Sequence, residues 1–465
     1  MQYQIPRLVI GAGQGRSGKT TFTLGLLRAL SNRSYHVQPF KKGPDYIDPS
    51  WLTFACGGTF CRNLDAFMMD RTQIKSTFIK HSLNSDISIV EGAMGLFDGL
   101  DVEGSNSTAE IACLLDAPII LVVNCQRITR SVAALINGIT SFDARLKFGG
   151  VILNNVARAR HQNIMTASIE KYCDIEILGI LPKSSDIEIP DRHLGLIPAG
   201  EMESLQKRVD KLGTLVGDNV NLERILEIAK NAAALDGEIK SSPVINVEKK
   251  CRIGVLRDRA FSFYYPENIE ALQEAGAEVV YIDSMHDAHL PAIDGLYIGG
   301  GFPEVMAEEI SANETLRGDI KKAAEKGLPI YAECGGLMYL SKHILTEEKS
   351  YPMVGVFECD VKMEKKPQGH GYAVQKTTVN QPFFQAGEEI RGHEFHNSRI
   401  INLPEDMKFA YETKRGKGIR EGADGLVYKN VLACYHHLHA AAAESWAANF
   451  VKLANGFIEK EQTYK

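Results

Sequence analysis

The chain has no apolar stretch approaching about 18 residues, so it offers no candidate membrane-spanning helix. It also has no long run of like charge, and its formal net charge is only −6. That argues against nucleic acid or an anionic membrane as the main partner. The nine cysteines form no CxxC and no Cys/His cluster at zinc spacing; even Cys56 and Cys61 are separated by four residues. Reduced, mostly buried thiols are expected. The first apolar strand begins almost at once, leaving no room for a signal peptide, so a cytoplasmic location is expected. At 465 residues the chain is too long for one typical core, and two or three domains are expected.

What is present begins with a phosphate-binding loop. Gly13-Gln14-Gly15-Arg16-Ser17-Gly18-Lys19-Thr20 fits G-x-x-x-x-G-K-[ST]. The apolar run Leu8–Ile10 before it reads as a buried strand, and Thr21–Leu30 after it has helical spacing. Gly13, Gly15 and Gly18 let backbone N–H groups turn inward, and the helix adds its positive end, which together cradle polyphosphate. Lys19 would reach the terminal phosphates, and Thr20 would place a hydroxyl on Mg²⁺. The alternative is a glycine-rich turn that binds nothing.

A second strand over Tyr35–Phe40 runs into Lys41-Lys42-Gly43-Pro44-Asp45-Tyr46-Ile47-Asp48. Lysines and aspartates at a strand end are where α/β sheets place chemistry, although a solvated turn is the plain reading. Ile87–Val90 is a strand ending in Glu91, followed by a glycine-punctuated loop through Asp98. A carboxylate at that place would hold Mg²⁺ directly or through water, with a helix cap or surface acid as the plain reading. Further strands are expected at Pro118–Asn124, Phe148–Asn155 and Ile177–Pro182, with helices over Ser107–Leu115 and Ser131–Ile139. Asn154 could bond an adenine edge or simply cap a turn. The strands are apolar throughout rather than alternating, and helices separate them. That is the pattern of a doubly wound, mainly parallel α/β sheet. A helical, charged segment from Ser204 to Leu235 closes this half after Arg192–Leu196.

Residues 236–250 are polar, contain proline and have no period, so they read as a linker between a domain over 1–235 and another over 251–465. The βα rhythm then restarts: strands at Arg252–Leu256, Glu278–Ile282 and Gly295–Ile298, and a helix at Pro266–Ala275. The last strand ends in Gly299-Gly300-Gly301, whose N–H groups could face an oxyanion or merely turn the chain. Pro329–Glu333 runs into Cys334-Gly335-Gly336 with an amphipathic helix after it. This is the form of a nucleophile elbow, and a thiol at a helix N-terminus is expected to have a depressed pKa. The activating imidazole is sought in Tyr435-His436-His437-Leu438-His439, with His393 and His396 as further candidates. Such histidines could also hold metal or simply pack.

Together these stretches resemble the cobyrinate a,c-diamide synthases, ATP- and glutamine-dependent amidases. The resemblance rests on Ser17–Thr21, Val37–Pro49, Val90–Gly99, Arg192–Leu196, Phe263–Asn268, Gly295–Glu304, Tyr331–Leu340 and Arg391–Ser398, in order along nearly the whole chain. The first half is more distantly similar to dethiobiotin synthetase, and the second resembles class I glutamine amidotransferases. The implied architecture is a phosphate-loop synthetase domain joined to an amidotransferase-like α/β domain. Cys334 is then the glutaminase nucleophile, His437 its histidine, and the backbone near Gly300 and Gly335 the oxyanion donors. The synthetase site would use Lys19 and Lys41 on phosphate, and Thr20, Glu91 and Asp45 towards Mg²⁺. Asp48 and Asp98 would lie on the substrate side, and Asn154 near ATP. His436 stands where the family has leucine. Class I enzymes usually carry glutamate two residues after the catalytic histidine; here it is His439, so the third triad member looks absent. Gln14 replaces the extra lysine of many nucleotide-binding relatives.

The implied partners are ATP, glutamine and a tetrapyrrole carboxylate, activated as an acyl phosphate and amidated on its a and c acetates. Nickel-sirohydrochlorin or sirohydrochlorin, as in coenzyme F430 synthesis, is an equal-chemistry alternative to cobyrinic acid. A phosphate-loop switch ATPase without glutaminase activity and a histidine metal module are the different-class readings. A homodimer is compatible with the sequence but is not read from it.

Overall fold

A computed structural model describes residues 1–183, 199–239, 251–379, 381–420 and 422–463. The motif at 192–196 and most of the linker expected over 236–250 lie outside the described residues. The chain divides into two compact units, Met1–Lys240 and Ser241–Lys465.

In the first unit seven strands form one sheet, every adjacent pair parallel. Its spatial order is Arg62–Leu64, Val37–Lys42, Ile87–Glu91, Arg7–Ala12, Ile119–Asn124, Phe148–Val156, Ile177–Pro182. The apolar strands are buried on both faces, as all-parallel sheets require. The chain starts near the middle, winds to one edge, returns beside its first strand and then winds the other way. That reversal sets the carboxyl ends of Val37–Lys42, Ile87–Glu91 and Arg7–Ala12 side by side. Register pairs Glu91 with both Ile10 and Lys41, 81 and 50 residues away. Ligands bind at such switch points in open α/β sheets. Helix Lys19–Asn32 buries Phe22, Leu24, Leu26, Leu27 and Leu30. It lies close against helix Ala199–Asn219, because a Cβ on Gly25 would stand 2.4 Å from Val216.

The second unit is built on a ten-stranded mixed sheet. Glu278–Ile282, Arg252–Leu256, Gly295–Ile298, Ile330–Glu333 and Val431–Cys434 are parallel neighbours. Beyond them the sheet turns antiparallel through Ala423–Tyr428, Lys408–Arg415, Gly369–Thr377 and Glu389–His396 to His437–Leu438. A four-stranded sheet, Ser350–Pro352, His343–Leu345, Asp360–Met363 and Ser398–Ile401, is separate. Tyr297, Tyr331, Phe383, Trp446 and Phe450 form an aromatic core under the parallel part, with ring centroids 5.2–6.1 Å apart. Such rings contribute about 0.5–1.5 kcal/mol per pair beyond their burial. None of the nine cysteines forms a disulfide; seven are buried and Cys113 and Cys173 are half-buried.

Candidate functional site

The phosphate loop has the backbone its glycines predict. Gly18 takes φ 90° as it caps helix Lys19–Asn32, a conformation L side chains rarely adopt. A Cβ there would also fall 2.0 Å from the Asn154 amide. Asn154 itself donates to the Ser17 carbonyl at 3.0 Å. The structure thus shows Asn154 bracing the loop from the neighbouring strands. Lys19 is buried, and its ammonium donates to the carbonyls of Gln14 (3.3 Å) and Met94 (2.5 Å). Burial lowers its pKa, with Glu91 opposing. Leu96 N–H donates to Ala12 O at 2.7 Å, so the loop after Glu91 is tied to the phosphate loop. Asp98 caps that loop by accepting from Gly95 N–H at 2.8 Å.

Beside this lies an ionic cluster in which Lys41 and Glu91 are buried and Asp45 and Asp48 half-buried. Lys41 Nζ is 2.7 Å from Glu91 Oε1, 2.5 Å from Asp48 Oδ2 and 4.0 Å from Asp45 Oδ2. Burial alone would depress the Lys41 ammonium, but Glu91, Asp48 and Asp45 outweigh it and raise its pKa. Desolvation would raise Asp48, yet Lys41 draws it below its ordinary value. Asp45 goes the other way, to about 6, through desolvation and then Asp48. Its Oδ1 accepts N–H bonds from Ile47 (2.7 Å) and Asp48 (3.2 Å), which starts helix Ile47–Ala55.

Glu91 is wholly buried, and burial raises its pKa. Its Oε1 also accepts the Thr20 hydroxyl at 2.9 Å, whereas Oε2 has no hydrogen-bond partner. A hydroxyl beside a buried, half-satisfied carboxylate is an oxygen donor set that fits Mg²⁺. Among the described residues no three His, Cys, Asp or Glu side chains converge as a metal cage. A cation here would therefore complete its shell with phosphate oxygens and water, as Mg²⁺ commonly does.

The second constellation is an elbow. Strand Ile330–Glu333 ends at Cys334, which takes φ 46° and ψ −97° before helix Gly335–Leu340. Positive φ at a non-glycine residue stores strain and is a mark of functional turns. Cys334 N–H is held by Cys434 O at 2.7 Å, and Sγ lies 3.8 Å from Phe395 O. The depressed pKa expected for this thiol is not found. Burial first, and Glu304 second, push it up. The following helix has only six residues, and desolvation of a thiolate outweighs what so short an element supplies. Glu304 is itself pushed up to about 7 by desolvation.

Gly300 and Gly335 come together here. A Cβ on Gly335 would meet Gly301 N at 3.0 Å, and one on Gly300 would meet His437 Cε1 at 2.5 Å. The imidazole thus lies against the glycine strand. His437 stacks on His393 with centroids 4.8 Å apart, and His393 Nε2 is 2.9 Å from the Tyr265 hydroxyl. Burial and the neighbouring histidines hold His393 well below its ordinary pKa. His396 instead lies flat on Tyr435 at 3.5 Å. His439 Nδ1 accepts Ala441 N–H at 3.1 Å, and its Nε2 is 3.6 Å from Glu267.

Two supports escaped the sequence reading. Glu333 Oε2 stands 3.5 Å from His437 Nδ1. Asn268 pins the histidine segment, donating to Leu438 O (3.1 Å) and accepting from Ala440 N–H (2.7 Å). The signal for Glu333 was an acid at the end of an otherwise apolar buried strand.

Residues 8–197 match the CobQ/CobB/MinD/ParA nucleotide binding domain, and residues 252–445 match the CobB/CobQ-like glutamine amidotransferase domain. The chain is 43% identical to the cobyrinate a,c-diamide synthase of Magnetococcus marinus over 453 residues, covering 96% of this chain and 97% of that one. It is 42% identical to the enzyme of that name from Archaeoglobus fulgidus, covering 97% and 98%. For that of Methanosarcina barkeri the identity is 41%, covering 97% of each. Among solved structures, PurLQS from Thermotoga maritima is 18% identical, with 46% of this chain and 99% of that one covered and a TM-score of 0.34.

Proposed function

This chain belongs to the cobyrinate a,c-diamide synthase family, and from that premise we propose how its residues divide one amidation between them. It is an ATP-dependent carbon–nitrogen ligase that takes nitrogen from glutamine. Its reaction is amidation of the a and c acetate carboxylates of cobyrinic acid. The observation that carries the division of labour is the pairing, in one chain, of the Lys19–Thr20–Glu91 corner with the Cys334 elbow beside His437.

A carboxylate does not react usefully with ammonia at neutral pH because its leaving group is poor. Attack of the carboxylate oxygen on the γ-phosphorus of ATP forms an acyl phosphate and releases ADP. Lys19 leaves the Gln14 and Met94 carbonyls for phosphate oxygens, and the fixed charge of Lys41 faces the same corner. Thr20 and Glu91 would hold Mg²⁺, which neutralises charge on the transferring phosphoryl group. Asp48 keeps Lys41 in place and, with Asp45 and Asp98, borders the substrate side.

At the elbow, His437 takes the Cys334 proton as sulfur attacks the side-chain amide of glutamine. Backbone N–H groups near Gly300 and Gly335 receive the oxyanion. The imidazolium returns the proton to the departing nitrogen, leaving ammonia and a thioester that water cleaves to glutamate. Ammonia then displaces phosphate from the acyl phosphate to give the amide.

The test supplies ATP, Mg²⁺ and glutamine with cobyrinic acid and nickel-sirohydrochlorin in parallel, products being read by mass. Diamidation of cobyrinic acid is expected. Diamidation of nickel-sirohydrochlorin alone would replace the corrinoid assignment. Cys334→Ala should abolish glutamine use and keep ammonia use, whereas Lys19→Ala should abolish both. A folded Cys334→Ala protein that loses both activities would overturn the two-site account.

A further inference from the structure

A general-base histidine needs one ring nitrogen free to accept a proton and the other held as a donor, and a neighbouring carboxylate commonly does the holding. The usual place for it, two residues after the histidine, is occupied by His439. That side chain is engaged elsewhere: its Nδ1 accepts Ala441 N–H, and its Nε2 is 3.6 Å from Glu267. A carboxylate nevertheless reaches His437 from the opposite direction in sequence. Glu333 ends strand Ile330–Glu333, immediately before the elbow, and is fully buried. Its Oε1 accepts Leu438 N–H at 3.3 Å. Its Oε2 receives the Tyr297 hydroxyl at 3.3 Å and lies 3.5 Å from His437 Nδ1. His437 is its one ion-pair partner among the described residues.

We propose that Glu333 is the positioning carboxylate of the glutaminase, holding the His437 Nδ1–H and balancing the imidazolium as it forms. The inference rests on the glutaminase reading of Cys334 and His437. A buried carboxylate without a cation is expensive, and proton transfer from Cys334 to His437 creates that cation 3.5 Å away. Nδ1 faces Glu333, so proton exchange with Cys334 is assigned to Nε2. The proton budget closes. The thiol proton moves to Nε2, then to the leaving nitrogen of glutamine. Water later gives Nε2 a proton as it opens the thioester, and that proton returns to sulfur. The Nδ1 proton stays on nitrogen throughout. Burial raises the Glu333 pKa, and the nearby His437 first, then Leu438 N–H and the Tyr297 hydroxyl, oppose it. Strand pairing explains the fit. Glu333 is in register with Cys434, three residues before His437, so the elbow and the histidine segment leave the adjacent ends of two parallel strands.

The test is Glu333→Gln, which keeps the shape and one acceptor oxygen, for Leu438 N–H, places an amide NH2 towards the Tyr297 hydroxyl and His437, and removes the charge. Glutaminase kcat should fall roughly 10²- to 10⁴-fold with little change in KM, by analogy with removal of a triad carboxylate. Ammonia-dependent amidation should persist. Alkylation of Cys334 by iodoacetamide should shift to higher pH, a change that a merely structural role would not produce. Glu333→Asp should recover part of the rate. Unchanged glutaminase kcat and an unchanged alkylation profile in folded Glu333→Gln would overturn the proposal. Cys334→Ala run alongside separates the two readings, because retained glutamine use there would sink the glutaminase assignment itself. Should Glu333→Gln not fold, the unmutated protein is used. A low-field Nδ1–H proton resonance that disappears in His437→Asn is expected, and its absence overturns the proposal.

Discussion

At the scale of single residues, the histidine segment contains a side chain that works against stability. His436 is buried with both ring nitrogens lacking hydrogen-bond partners. Burial, and then His437, push its pKa down to about 3 from an ordinary 6.5. The sign follows directly. Below pH 6.5 the unfolded chain takes up a proton that the folded chain refuses. Stability from this site is therefore lost on acidification, by up to about 1.4 kcal/mol per pH unit. His436→Leu should raise stability at neutral pH by about 1–3 kcal/mol and flatten the acid limb. Urea unfolding at neutral and mildly acidic pH measures both, and a variant less stable at both would refute it. Much of the candidate site was legible at this scale: Lys19 and Cys334 stand in motifs whose spacing carries chemistry, and His437 was singled out by the family resemblance. Glu333 was not legible, because its partner lies 104 residues on and only strand register joins them.

At the scale of elements, the short strand Gly300–Gly301 is confined on both sides. It pairs with Phe261–Phe263 and lies against the His437 ring. Gly300→Ala would place a Cβ 2.5 Å from His437 Cε1, so the ring must move. A displacement of about 1 Å costs roughly 10²-fold in such chemistry. Glutamine-dependent amidation should fall by about that factor, and ammonia-dependent amidation should not. Equal loss of the two rates would refute this. The same elements show what sequence patterns convey. Parallel strands announced themselves as unbroken apolar runs between helices. The antiparallel strands Gly369–Thr377, Glu389–His396 and Lys408–Arg415 did not, because charged residues, glycine and histidine interrupt their alternation. Yet Glu389–His396 is the element that places His393 against His437.

At the scale of the whole molecule, each unit carries its own apolar core, one around Phe22, Leu26 and Trp51, the other around Tyr297, Tyr331 and Trp446. Two calorimetric transitions are expected. A non-hydrolysable ATP analogue with Mg²⁺, at a hundredfold excess over Kd, should stabilise the first unit by about 2.7 kcal/mol. That moves its midpoint upward by roughly 5–10 °C and leaves the other in place. A single transition moving as one would contradict independent cores. The state of the thiols has a consequence of another kind. Peroxide attacks thiolates that it can reach, not shielded thiols. Seven of the nine cysteines are buried, Cys113 and Cys173 are half-buried, and burial pushes the Cys334 thiol up. The resting Cys334 thiol should therefore resist sulfenic acid formation, and its vulnerability to oxidants should rise when glutamine turns over and His437 takes its proton.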